Sequence, residues 1–505
     1  MIRILLLAAC LGSGYLVRAQ EAIDRTLPEF SFDQLDLAGE MYFLASDYLA
    51  GRRTGSVGNE VAAEYIAAQL RAFGYEPINP TDSSYFQAVP LRRVQPPTNA
   101  EVTIGEDTYS LGGDLLLLRG PAAEVEAEVV FANFGWVDEA NDYDDYADLD
   151  VEGKIVITRA GLPDDQGQGA IFRGIQEKAE MAAAAGAAGL FEIYALPFPW
   201  SAFRNYLGGE RLSIAQGESA EIPYGFIHFA DEAVGNVQRK GADLQGSLTS
   251  GGMRVDDLNS RNVGGILRGS DPALQEEYML MTAHFDHVGV GQQGGGAYTA
   301  EDSIFNGARD NAFGTISLLA AARAFAEQPP RRSVIVLAVT GEELGLLGSK
   351  YYSENPLVPL EQTVFNFNTD GAGYNDTTAI SLIGSDRTGI DEQVERAATA
   401  FGKRVISDPA PEQGLFDRSD NVSFAAKGVP ALSFTPGFAA FDDDIMRYYH
   451  QVSDNPETIN LQYLKEYCQI FTLAARLIAN RDVVPFWTEG DKYEAAGKAL
   501  YGTGK

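Results

Sequence analysis

The chain has 505 residues, 45% of them hydrophobic and 22% charged, enough for two or more compact units with cores of their own. Its 71 acidic and 38 basic residues give a formal charge of −33, a field that repels nucleic acid and anionic membrane surfaces and makes both poor partners. With only Cys10 and Cys468 present, there is no disulfide framework to build on.

The first stretch, MIRILLLAACLGSGYLVRAQ, has an early arginine, a short apolar run and the small-residue pattern Val17-Arg18-Ala19. These predict a leader over residues 1–19 and an exported, periplasmic or secreted protein. The alternative is a lipoprotein leader ending at Cys10, since LAAC resembles a lipobox. No later segment offers about 18 unbroken apolar residues, so no transmembrane segment is expected. Cys468 falls in the helical apolar pattern YLKEYCQIFTLAARLIA and reads as a core residue.

Residues 20–95 open with two helical patterns, LDLAGEMYFLASDYL and GNEVAAEYIAAQLRAFGY, joined by the glycine-rich turn AGRRTGSVG. Over 96–257 the texture changes to short strand-like runs with one strand–helix–strand piece, which predicts a small β-rich domain. Over 258–482 strands and helices alternate: YMLMTAHFD, SVIVLAVTG, TVFNFNTDG and PALSFTP interleave with NAFGTISLLAAARAFAE and NLQYLKEYCQIFTLAARLIAN. This alternation predicts an α/β unit with a mixed, mostly parallel central sheet and helices on both faces. Residues 483–505 form a tail that is either an ordered helix or a loose end.

The chain has four histidines, His228, His284, His287 and His450. His284 and Asp286 end one predicted strand, on the same face. Asp310 precedes a helix, Glu342 and Glu343 follow the next strand, Asp370 ends another, and His450 lies in YYHQVSD. In an α/β sheet these strand ends are where a site gathers. Two histidines with several carboxylates suit a pair of divalent cations, which would compensate carboxylates that are costly to bury alone. Asp286 is placed to receive the second ring nitrogen of His284. Each piece taken singly has a plainer reading: a hydrogen-bonded histidine, a helix N-cap at Asp310, a solvated helix start at Glu342. Their ordered recurrence at strand mouths outweighs those readings.

MTAHFDHVG, GARDNAFG, TGEELGLLGS, NTDGAG and YHQVSDNPETIN together resemble the ordered motifs of the M28 family of co-catalytic zinc peptidases. The similarity extends to the LAGRRTGSVGNEVAAEYIAAQL segment, and the 96–257 stretch resembles a protease-associated (PA) domain through GKIVITRAG and KAEMAAAAGAAGLFEIY. The resemblance implies the zinc-exopeptidase fold and two Zn2+ ions, one on His284, Asp310 and Asp370, the other on Asp310, Glu343 and His450, with Asp310 bridging. It implies Glu342 as general base toward a metal-activated water and Asp286 as the residue that orients His284. Tyr449, just before His450, reads either as a donor to the oxyanion or as a packing residue.

One departure concerns RSDNVSF, where Asn421 stands in place of the family's histidine. GVGQQGGGAYT lacks the Lys-Ser/Thr of a phosphate-binding loop and predicts a flexible loop beside the site. NDYDDYADLDVEG mimics a calcium loop but has Ala147 where glycine is required, and reads as an acidic turn. His228 and His287 read as structural. The leading expectation is an aminopeptidase acting on peptides; the alternatives are a carboxypeptidase or glutaminyl cyclase on the same fold, or a non-catalytic binding ectodomain.

Overall fold

A computed structural model describes residues 22–165, 167–196, 199–215, 222–240 and 244–502. The leader and Cys10 lie outside the described residues. Two helices open the described chain. In α1 (Gln34–Leu44) the Asp33 side chain accepts from the Leu35 amide, and Leu37, Met41 and Leu44 are buried at helical spacing. In α2 (Val57–Phe73) Ser56 caps the Asn59 amide, and Gly74 stops the helix in the left-handed conformation.

The main sheet has 10 strands. In chain order the principal ones are β1 (Phe86–Gln95), β2 (Arg211–Ile214), β3 (Arg254–Leu267), β4 (Tyr278–His284), β5 (Ser333–Val339), β6 (Thr363–Thr369), β7 (Ala379–Ile383), β8 (Arg404–Ser407) and β9 (Ala431–Pro436). Their spatial order is β2-β1-β3-β5-β4-β6-β9-β7-β8. The expected mixed sheet is present, with its parallel ladders confined to the central β5-β4-β6-β9 group and the β7-β8 pair. The margin carrying β2, β1 and β3 is antiparallel, with β1 and β3 running as one long ladder into and out of the inserted segment.

Every residue of β4, β5 and β6 is buried. Such strands need apolar cover on both faces, which explains their Val, Ile, Leu and Met content. One face is covered by α1, α2, α3 (Phe313–Glu327) and α4 (Leu461–Ala479). On the other face Leu280, Ile335 and Leu337 pack with Tyr352 and Phe424. The predicted core position of Cys468 is found: its thiol is buried on α4. The tail contains a helix, Glu494–Tyr501, and the Trp487 indole donates to the Gly428 carbonyl.

Between β1 and β3 an eight-stranded sheet built from residues 100–250 has apolar clusters of its own on both faces. The segment is tied to the main unit through β2, which pairs with β1 from Leu91 to Val94. Glu210, next to β2, accepts from Gln95 and faces Arg93 at 3.7 Å and Arg53 at 3.9 Å. Among the described residues no helix is long and apolar enough to cross a membrane.

Glu40 on α1 has one carboxylate oxygen buried without a partner. Burial raises its pKa from 4.5 to about 7, with Asp36 adding to the shift and Arg323 opposing it. A carboxyl raised on folding favours the protonated folded state, so stability falls as the pH climbs from about 4.5 through 7. Glu40→Gln is expected to raise the melting temperature at pH 8, with the gain vanishing near pH 4. Thermal unfolding across that range measures it.

Candidate metal centre

β4, β5 and β6 deliver their side chains to one end of the sheet. His284 is the last residue of β4, and its Nε2 lies 3.1 Å from Asp370 Oδ1 and 3.3 Å from Asp310 Oδ1. On the other side of Asp310, His450 Nε2 is 3.2 Å from Oδ2 and 3.0 Å from Glu343 Oε2. The two oxygens of Asp310 thus face different imidazoles. The structure brings together His284, Asp310, Asp370, Glu343 and His450, with Glu342 beside them on the wall of a common pocket.

Asp286 sits under this group in a different posture from the one expected. His284 Nδ1 points at the Asp286 main-chain carbonyl at 3.2 Å, and the nearer carboxylate oxygen stands off at 3.8 Å. A carbonyl only accepts, so Nδ1 carries the hydrogen and Nε2 is the nitrogen aimed at the carboxylates. The Asp286 carboxylate instead accepts from Thr54 Oγ1 at 2.9 Å and from the Glu342 amide at 3.2 Å. It orients the Glu342 turn as well as the strand end.

The loop carrying Asp310 is held by groups that the sequence reading did not single out. Arg52 is buried and donates through Nε to the Phe285 carbonyl at 2.8 Å and through its Nη atoms to the carbonyls of Leu44, Asn306 and Gly307. One guanidinium therefore fixes the exit of β4 against the approach to Asp310. Asp454, four residues past His450, accepts from the amides of Arg309 and Asp310 and from the Arg309 guanidinium. Arg309 in turn lies over the Tyr448 ring at 3.6 Å. Asn311 Nδ2 donates to the Thr369 carbonyl at 3.1 Å, joining this loop to the end of β6. The Asp310–Asn311 peptide bond is cis. Asp370 receives the Ser419 hydroxyl.

Electrostatics follow from this crowding. Burial alone would raise the Asp310 carboxyl, but the flanking His284 and His450 hold it well below the usual range. Burial and Asp310 push Glu343 up, yet His287 and His450 outweigh them and bring it down to about 2. For Glu342 burial prevails; Asp370, Glu343 and Asp420 add to it against His284, and the carboxyl is carried well above its ordinary value. Burial would lower His450, but Glu343 and Asp310 carry it up to about 10.

A cation fits these donors. His284, Asp310 and Asp370 each offer an atom within 4.8 Å of the others, and so do His287, Asp310 and Glu343. Imidazole nitrogen with carboxylate oxygen is a donor set that zinc accepts.

The remaining sequence expectations separate cleanly. His228 is in the inserted segment, stacked on Trp200 at 5.5 Å and away from the cluster. His287 was read as structural, but its Nδ1 lies 2.6 Å from Glu343 Oε1, inside the site. The Tyr449 ring lies 4.1 Å from that of His450, and its hydroxyl receives Arg418 at 3.3 Å. Asn421 is buried and donates to the Phe416 carbonyl at 2.9 Å, so it is a core residue and does not line the pocket. The glycine-rich loop does lie beside the site: a Cβ on Gly296 would overlap the His450 carbonyl.

Comparison with known proteins supplies context for this geometry. The model of peptidase family M28 matches residues 262–475. Aminopeptidase YwaD of Bacillus subtilis is 27% identical over 228 residues, 45% of this chain and 46% of that protein. A vacuolar membrane protease of Aspergillus clavatus is 34% identical over 139 residues, 27% of this chain and 12% of that one. The chain thus spans less than half the length of these curated relatives. Among solved structures, an aminopeptidase from Aneurinibacillus sp. strain AM-1 aligns over 90% of this chain and 95% of that one, with a TM-score of 0.57 and 20% identity, which shows the fold.

Removing the Arg52 side chain would leave four main-chain carbonyls in the interior without their donor. Arg52→Ala is expected to lower the unfolding free energy by about 3 kcal/mol or more. Arg52→Lys should recover little of it, because an ammonium cannot span the four carbonyls. Denaturant unfolding of the three proteins measures both.

Proposed function

We propose that the protein is a zinc-dependent aminopeptidase removing N-terminal residues from peptides, a reading supported by the match of residues 262–475 to the model of peptidase family M28. One observation carries the reading: Asp310 turns one oxygen to His284 beside Asp370 and the other to His450 beside Glu343. That arrangement supports a reading of two cation sites sharing one carboxylate. His284, Asp310 and Asp370 would hold one Zn2+, and Asp310, Glu343 and His450 the other. When bound, such a pair supplies Lewis acidity, polarising the scissile carbonyl and making water a better nucleophile.

The chain's own residues supply the rest. Glu342 is next to a ligand without being one, so its carboxylate stays free to take the proton from attacking water and pass it to the departing amine. The Asp286 carboxylate, through the Glu342 amide, keeps the base loop aligned with the end of β4. The choice of an aminopeptidase over a carboxypeptidase or cyclase is supported by the likeness to aminopeptidase YwaD of Bacillus subtilis. Export through a leader ending at Ala19 is part of the same proposal. So is a PA-like identity for the inserted eight-stranded unit.

Beyond the carboxylates the pocket is walled mostly by Ile383, Leu415, Phe438, Phe441 and Ile445, with Arg418, Ser433 and Thr435 among its polar lining. A pocket of this lining favours an apolar first side chain over glycine or a charged one. Burying a leucine-sized group is worth about 1.5–3 kcal/mol, or roughly 10–100-fold in kcat/KM.

The test is hydrolysis of matched peptides, free or N-acetylated, by the zinc-loaded protein with and without chelator. Release of the first residue from free peptides alone, lost with chelator and restored by zinc, is expected. Release from the C-terminus would identify a carboxypeptidase, and ammonia from N-terminal glutamine a cyclase. Glu342→Gln is expected to retain its metal and lose about 10²-fold or more in kcat; retained turnover would remove Glu342 from the base role. Leucine-first peptides should exceed glycine-first ones by roughly 10–100-fold in kcat/KM, and Phe438→Ala should shrink that ratio.

A further inference from the structure

His287 follows Asp286 in sequence, but its side chain serves a residue from a different strand end. Its ring is only 1% exposed. Nδ1 lies 2.6 Å from Glu343 Oε1, and because a carboxylate oxygen only accepts, Nδ1 is the donor. The other oxygen, Oε2, is the one that faces His450 Nε2 at 3.0 Å. The two carboxylate oxygens of Glu343 are therefore divided between two histidines.

The ring has little freedom to do anything else. A Cβ on Gly307, whose φ is +59°, would overlap the His287 ring, so the chain there passes flat against the imidazole. On another side the His450 ring meets it edge-on, with centroids 5.6 Å apart. His287 Nε2 is buried without a hydrogen-bond partner among the described residues. The ring is thus held in a pose that satisfies Glu343 and leaves its own second nitrogen unserved.

We propose that His287 is a positioning residue for the cation site of Asp310, Glu343 and His450: its Nδ1–H occupies Glu343 Oε1 and leaves Oε2 alone to face the ion. This rests on the two-cation reading given above. The nearness of His287 to Asp310 and Glu343 would also suit a direct ligand. The hydrogen bond argues against that role, because the nitrogen nearest Glu343 is engaged with Oε1 while His450 reaches both Oε2 and Asp310 Oδ2. Without the bond, Glu343 is free to rotate or to offer both oxygens, and the second site loses its shape before the first.

The experiment is a Co2+ titration of the metal-free full-length protein, followed by visible absorption, with thermal unfolding of each metal-free variant alongside. Wild type should take up two ions. His287→Ala should bind the first as wild type does, bind the second about 10–100-fold more weakly, and show an altered second absorption envelope. His287→Asn places an amide N–H at the reach of Nδ1 and should recover most of the second-site affinity. His287→Gln carries the same amide one methylene further out and should not. The Asn and Gln variants make the comparison independent of whether the alanine variant folds well. Wild-type cobalt affinity and spectrum in His287→Ala would overturn the proposal, as would equal behaviour of the Asn and Gln variants. Loss of the second ion with no recovery in His287→Asn would make His287 a ligand and overturn the positioning role. If wild type bound fewer than two ions, the two-cation reading itself would fall, and this proposal with it.

Discussion

The constraint on which this structure turns is the burial of like charges. Asp286, Asp310, Glu342, Glu343 and Asp370 are drawn to the ends of three adjacent parallel strands, where their mutual repulsion and lost hydration must be met by positive charge. The answer is distributed. His284 and His450 approach from opposite sides of Asp310, and Arg52 lies beneath with its guanidinium among main-chain carbonyls. A divalent pair, as proposed, would complete the balance that these groups begin.

Because the charges cannot be left to find their own places, the scaffold fixes them through the backbone. Arg52 and Asp454 scarcely touch the donor atoms, yet both grip the peptide groups that lead into Asp310. Buried main-chain hydrogen bonds of this kind leave a loop with the rigidity of a strand, and rigidity is what a site built from several loops otherwise lacks. The price falls on individual residues. His450 is held at a φ of +52°, a conformation that a side-chain-bearing residue rarely adopts.

Much of this was legible in the sequence, and the reasons are local. The runs YMLMTAH, SVIVLAV and TVFNFNT are continuous and apolar because both faces of the central strands are covered, so the strands and the polar residues that end them stand out together. The gathering of His284, Asp310, Glu343, Asp370 and His450 followed from that pattern and from motif order. What stayed hidden depends on partners remote in the chain. Arg52 reaches the Phe285 carbonyl across 233 positions, and Asp454 reaches the Arg309 amide across 145. Main-chain acceptors have no residue identity, so nothing in the one-letter text marks them. His287 was legible only as a neighbour of Asp286, since its partner Glu343 lies 56 residues on.

The inserted segment returns to the main sheet for a single short strand, β2, which lies at its outer edge against β1. An unpaired edge offers a ready template for a strand from another molecule, and folded proteins blunt or cover such edges. Here the cover comes from a segment that otherwise belongs to a different sheet. Leu212 and Ile214 of that strand also pack with Leu91, Leu258 and Leu347, so the cover is glued as well as hydrogen-bonded. The segment is therefore no detachable accessory. A chain that lost it, by cleavage or by deletion in the course of descent, would bare the Leu91–Val94 backbone and exchange a short edge strand for a longer one open to self-association.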